Sequence, residues 1–279
     1  MSKKNHGKKS ASNVKIGDNS TNEIAGPDCE NVTGKKKSPY VYQRDKITLD
    51  LNIRQRDDLT ENQKKLMDII LDKKTKMVFV EGPAGTSKTF IAVLCGLMLL
   101  QKHSVSDLIY IRSVVESASK SLGFLPGDQD EKMGVFLAPL FEKLDEMLPK
   151  CEIDKLVKDN RIEGTPVNYL RGASFNAKYI LVDEAQNLDY KELTTVVTRL
   201  GAYSKMIIVG DRFQSDINGK SGFMKFFDMF NDEQSREEGI HSFCFTRADV
   251  VRSGVLKYIL ERLENAQIQN NKEPMFPPK

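Results

Sequence analysis

The chain has 279 residues, 39% of them hydrophobic and 29% charged, with a formal net charge of +3 at neutral pH. That is enough apolar material for one large or two small domains, and no apolar run nears the ~20 residues of a membrane span. Cys29, Cys95, Cys151 and Cys244 are scattered and form no C-x-x-C pair, which argues against a disulfide framework or a thiolate metal site and for a reducing cytoplasm.

The charge is unevenly placed. Residues 1–46 hold ten Lys/Arg against five Asp/Glu, leaving 32 basic and 34 acidic residues for the remainder. The body is therefore not a general polyanion binder, and nucleic-acid contact there requires a local patch. Residues 1–39 are polar, Lys-rich and without apolar periodicity, and read as a disordered basic tail. No apolar segment follows these lysines, unlike a secretory signal. Ile47, Leu49, Leu51 and Ile53 alternate, which predicts a short extended segment lying on the domain.

Thr60 and Gln63 have the capping-box spacing, and Leu66, Met67, Ile69 and Ile70 supply one apolar face of the helix that follows. Next comes the densest stretch. An apolar strand, Val78-Phe79-Val80, runs into Glu81-Gly82-Pro83-Ala84-Gly85-Thr86-Ser87-Lys88-Thr89, and an apolar helix spans 90–100. Strand, glycine-rich loop and Lys-Thr helix start make the context in which a phosphate-binding loop has meaning. Ser87 stands where the pattern asks for a second glycine, at a backbone cost of ~1–3 kcal/mol.

Further strands are predicted at 108–111, 179–182, 206–209 and 240–245. Helices are predicted at 130–148 with a break at Pro139, then at 152–159, 190–200, 221–230 and 254–265. Residues 161–175 read as extended and turn-rich, and a loose, proline-containing tail covers 266–279. Short apolar strands alternating with helices indicate an α/β parallel sheet with helices on both faces. Ligands of such sheets bind beyond the carboxyl ends of the strands. The polar residues there are the phosphate loop, Arg112, Asp183-Glu184, Gly210-Asp211 and Arg247.

Chemistry assigns roles along that edge. Lys88 is suited to the β- and γ-phosphates, and the Thr89 hydroxyl with Asp183 to Mg²⁺. Glu184 is the candidate general base for water. Gln214, after Gly210, can direct its amide at a γ-phosphate or the attacking water. Gln186 is a candidate to orient the bound phosphate or to link to substrate.

Together these residues resemble the PhoH family of ATPases. The resemblance rests on the phosphate loop, Leu122-Gly123-Phe124-Leu125-Pro126-Gly127-Asp128, Arg171-Gly172, Asp183-Glu184-Ala185-Gln186-Asn187, Gly210-Asp211-x-x-Gln214 and Asp249-Val250-Val251-Arg252. It implies a P-loop NTPase domain over 40–265 with a single RecA-like, helicase-like sheet. It also implies ATP and Mg²⁺ as ligands, Gln63 as the reader of adenine, Gln214 as the γ-phosphate sensor and Arg252 as an arginine finger. A single sheet leaves one wall of the site to a neighbour, so a ring-shaped homo-oligomer, a hexamer among the options, acting with RNA or single-stranded DNA is expected. Two other readings fit the same loop: a small-molecule kinase, and a nucleotide-gated binding module with little turnover.

Overall fold

The computed structural model describes residues 49–54, 56–113, 129–170, 172–217 and 219–251, with Gly254, Val255, Tyr258, Ile259 and Arg262; of residues 129–135 only the backbone is described. The two predicted tails, the 122–128 run, Arg171 and Arg252 lie outside these residues.

Six strands form one parallel sheet: β1 (Met77–Glu81), β2 (Asp107–Arg112), β3 (Ile162–Pro166), β4 (Lys178–Asp183), β5 (Lys205–Gly210) and β6 (Ile240–Cys244). Their order is β3-β2-β4-β5-β1-β6, and every pairing is parallel. The central strands are apolar throughout because both faces are covered. Side chains alternate between those faces. Val78, Val80, Leu108, Tyr110, Tyr179, Leu181, Ile207 and Val209 join one core, whereas Met77, Phe79, Ile109, Ile111, Ile180, Val182, Met206 and Ile208 join the other.

The first core lies under α1 (Glu61–Leu71), α2 (Lys88–Gln101), α3 (Gln129–Met147) and α4 (Lys150–Lys158). The second lies under α5 (Tyr190–Val197) and α6 (Phe223–Met229), and the short α7 (Glu233–Glu237) precedes β6. Ten of the fourteen α2 residues are buried, so α2 has no solvent-facing stripe. It packs between the sheet and α1, which fixes the helix that carries the phosphate-loop lysine.

Several expectations need adjustment. Pro139 does not break α3, which continues through it. The stretch read as turn-rich contains the edge strand β3, closed by Pro166 at a position where a lost ladder donor is tolerated. The alternating segment makes no ladder in its described part; Leu49 and Leu51 are buried, and Arg54 N donates to Met147 O at 2.9 Å. The α1 capping box is present as predicted.

Candidate functional site

The carboxyl ends of β1, β4 and β5 converge on a cavity of about 410 Å³. Ala84, Gly85, Ser87, Lys88 and Thr89 line it from the loop, Asp183, Glu184 and Gln186 from the end of β4, and Gly210, Asp211 and Gln214 from the end of β5. Because β5 lies between β1 and β4, the ends of β1 and β4 are two strand spacings apart, about 10 Å.

Close packing dictates the loop's first glycine. A Cβ on Gly82 would lie 2.6 Å from the Phe245 Cβ, so the start of the loop is pressed against the residue after β6. Ser87, at φ 64 and ψ 27, occupies the left-handed conformation with no side-chain cap bond to compensate. The strain foreseen for a non-glycine residue is thus present at the residue preceding Lys88. Beneath the loop, Glu81 accepts from Arg212 Nε at 2.8 Å and from Cys244 Sγ at 2.8 Å, tying the ends of β1, β5 and β6 together.

Lys88 Nζ donates to Gly82 O at 2.6 Å and Pro83 O at 2.9 Å. Burial lowers its pKa, opposed by Asp211, Glu81, Asp183 and Glu184. The ammonium is thus held among carboxylates at the mouth of the loop. Thr89 Oγ1 donates to Asp183 Oδ1 at 2.9 Å, and Tyr110 donates its hydroxyl to Asp183 Oδ2 at 3.0 Å. Burial, then the nearby Glu184, raises the Asp183 pKa above the usual carboxylate value. A desolvated carboxylate bonded to a threonine hydroxyl is a hard-oxygen donor pair suited to Mg²⁺. No cluster of three or more His, Cys, Asp or Glu residues is found among the described residues.

Glu184, at φ 53 and ψ 40, also adopts the left-handed conformation. That backbone reversal lets adjacent acids leave β4 in different directions, with Glu184 lining the cavity. Gln186 connects the two acidic strand ends. Its Nε2 donates to Glu184 Oε2 at 2.5 Å and its Oε1 accepts from Asp211 N at 3.0 Å. It is a brace between β4 and β5. Gln214 donates to Asp211 Oδ2 at 2.8 Å, and burial raises the Asp211 pKa. Gly210 is required by contact, since a Cβ there would meet the Phe223 ring at 2.7 Å.

The structure places the remaining sequence candidates less centrally. Gly82, Pro83 and Thr86 are part of the loop but do not line the cavity; Thr86 Oγ1 donates to Pro83 O at 3.0 Å. Gln63 is buried, with its Oε1 accepting from Thr60 N at 3.0 Å and its Nε2 donating to Thr86 O at 3.2 Å. Its amide holds the phosphate loop. Arg247 lines a separate 250 Å³ cavity beside Arg212 and Cys244, and Arg112 does not line the phosphate-loop cavity.

Sequence reasoning missed the outer wall. Arg56, Phe90, Lys143, Glu146 and Val251 also line the cavity. Arg56 lies over the Phe90 ring at 5.0 Å while bonding both oxygens of Asp58 at 2.8 and 2.6 Å. Lys143 bonds Glu146 at 2.6 Å. Tyr110 was equally hidden, because in β2 it reads as one more apolar strand position.

No helix among the described residues is long and apolar enough to cross a membrane. Residues 56–264 match the family model described as PhoH-like protein. A PhoH-like protein of Synechocystis sp. is 38% identical over 198 residues, covering 70% of this chain and 58% of the relative. One of Bacillus subtilis is 37% identical over 191 residues, covering 68% and 58%. The matches thus span a little over half the length of these curated relatives. Among solved structures, the large terminase of a thermophilic bacteriophage aligns with a TM-score of 0.45 at 12% identity, covering 73% of this chain and 50% of that one. The Pif1 structure from Bacteroides sp. aligns at 0.36 and 18% identity, covering 77% and 47%. The phosphate loop, the acids after β4 and the extent of the family match agree: this chain is an α/β P-loop protein and belongs to the PhoH-like family.

Proposed function

We propose that the protein is a Mg²⁺-dependent ATPase of the cytoplasm that works with RNA or single-stranded DNA as a homo-oligomer. The observation that carries the reading is the Thr89–Asp183 bond at 2.9 Å, with Lys88, Glu184 and Gln214 lining one cavity. Backbone N–H groups of the loop and the start of α2 favour a polyphosphate. Lys88 neutralises charge on the β- and γ-phosphates as the terminal phosphoryl group leaves. When bound by Thr89 and Asp183, Mg²⁺ supplies Lewis-acid stabilisation of the phosphate oxygens. Glu184 takes the proton of the attacking water, and Gln186 fixes that carboxylate relative to Asp211. Gln214 reads the terminal phosphate through its amide.

Exposed apolar residues after β6 support the oligomer. Val251 lines the cavity, and Val255, Tyr258 and Ile259 are exposed on the helical segment beyond it. A neighbouring subunit covering them would close the site and bring an arginine such as Arg252 to it; a finger of this kind contributes about 10³–10⁵ in rate.

The test is phosphate release from ATP with and without RNA or single-stranded DNA, wild type against Lys88→Ala. The reading expects release without any acceptor, stimulation by nucleic acid, and a loss of at least about 100-fold in the variant. Equal release by the variant sinks the assignment. Light scattering with and without ATP tests the oligomer, and a strict monomer at full rate rules it out.

A further inference from the structure

At the opposite end of the sheet, the turns leading into β1, β2, β5 and β6 enclose a second cavity of about 790 Å³, nearly twice the volume over the phosphate loop. Its floor is apolar, formed by Leu71, Leu99, Val105 and Leu200, and Lys73, Lys74, Lys76 and Lys102 stand around it, all exposed. Glu237 and Glu238 are the two acids that line it. Among the described residues, the weak, exposed Lys76–Glu238 pair at 3.6 Å is the ion pair that joins the two sets. This is a local basic excess in a body that is otherwise slightly acidic.

Tyr203 lines the same cavity with 54% of its surface exposed. It sits at φ 60, a conformation costly for a bulky residue, and core packing does not account for it. Lys205 also lines the cavity, but its ammonium is engaged by the chain itself, donating to Ile70 O and Asp72 O at the end of α1.

We propose that this cleft is a single-stranded nucleic-acid site, with the four exposed lysines on the phosphates and Tyr203 offering a stacking face to a base. Lysine-lined grooves with an aromatic platform suit unpaired strands, whose bases are free to leave one another and stack on protein. The proposal rests on the reading that the ATPase works with such a strand, and it adds where the strand lies. β1 runs from Met77, next to Lys76, to Glu81 at the phosphate loop, and β5 runs from Lys205 to Gly210 beside Asp211. Two buried strands therefore join the cleft to the nucleotide cavity. Lysines at helix C-termini also offset helix dipoles, but that role alone predicts no effect on nucleic-acid binding.

Fluorescence anisotropy of labelled oligo-uridine RNA and oligo-thymidine DNA, titrated across salt with the full chain, separates the possibilities. In the combined Lys73→Ala, Lys74→Ala, Lys102→Ala variant, affinity falls and the slope of log affinity against log salt drops by about 2, at ~0.7 per phosphate contact. Tyr203→Ala weakens binding by about tenfold with the slope unchanged. Basal ATP hydrolysis stays at the wild-type value, and Lys102→Ala alone repeats the slope test with a single change. Wild-type affinity and slope in the combined variant overturn the placement while leaving the nucleic-acid reading intact. Failure of the wild type to bind either oligonucleotide overturns both.

Discussion

Thr89 and Asp183, 94 positions apart, share a 2.9 Å hydrogen bond. It joins the start of α2 to the end of β4 across the intervening end of β5. β1, which leads into α2, and β4 are not adjacent, so the bond exists only because the sheet order brings both ends to one edge. Tyr110 occupies the other oxygen of Asp183 from β2, and the carboxylate is thereby oriented from both sides.

Glu184→Gln retains an acceptor for Gln186 and removes the base. The expected outcome is a fall in kcat of about 10²–10⁴ with ATP affinity kept, measured by single-turnover hydrolysis and by binding of a fluorescent ATP analogue. A kcat within a few-fold of wild type would assign the proton to another group.

Ser87→Gly relieves the left-handed strain at φ 64. Set against the larger chain entropy of glycine, the net gain is about 0.5–1 kcal/mol, visible as a higher melting temperature. ATP turnover is retained. Ser87→Ala keeps the strained backbone and brings no gain, which makes the pair of variants the check.

Gly82→Ala drives a methyl group into Phe245, 2.6 Å from its Cβ and 3.2 Å from its carbonyl oxygen. Backbone must yield, so a cost of ~1–3 kcal/mol follows, together with weaker ATP binding as the loop shifts. Chemical denaturation and nucleotide titration measure the two effects. Unchanged values in both would mean that the β1 and β6 ends separate freely.

Lys205 is desolvated, and its pKa is pushed down to about 8 from an ordinary 10.5. Between these values the unfolded chain binds more protons than the native one, so stability rises with pH through that window. The gain is complete above about 10.5 and absent below about 8. Partial solvent screening leaves ~1–2 kcal/mol. Unfolding free energies across this range, wild type minus Lys205→Met, are expected to grow by that amount. A constant difference would place the ammonium in water.

Much of the site was legible in the chain itself. An apolar strand, a glycine-rich loop, Lys88-Thr89 and the acids after a second apolar strand are local patterns, produced by backbone and side-chain preferences acting over a few residues. They identify the α/β class, the strand ends and the PhoH-like resemblance. The edge strand β3 escaped because Gly164 and Pro166 mask its pattern and its partner residues in β2 lie 54 positions upstream.

What only the tertiary structure decided depends on which apolar faces meet. Burial of both sheet faces places β5 between β1 and β4 and brings Tyr110 to Asp183. It also turns Gln186 into a brace, draws the Gln63 amide to the carbonyl of Thr86, and stations Arg56 over Phe90. The same packing gathers four turns into the lysine-rimmed cleft at the far edge. These contacts are long in sequence and short in space, and no local pattern encodes them.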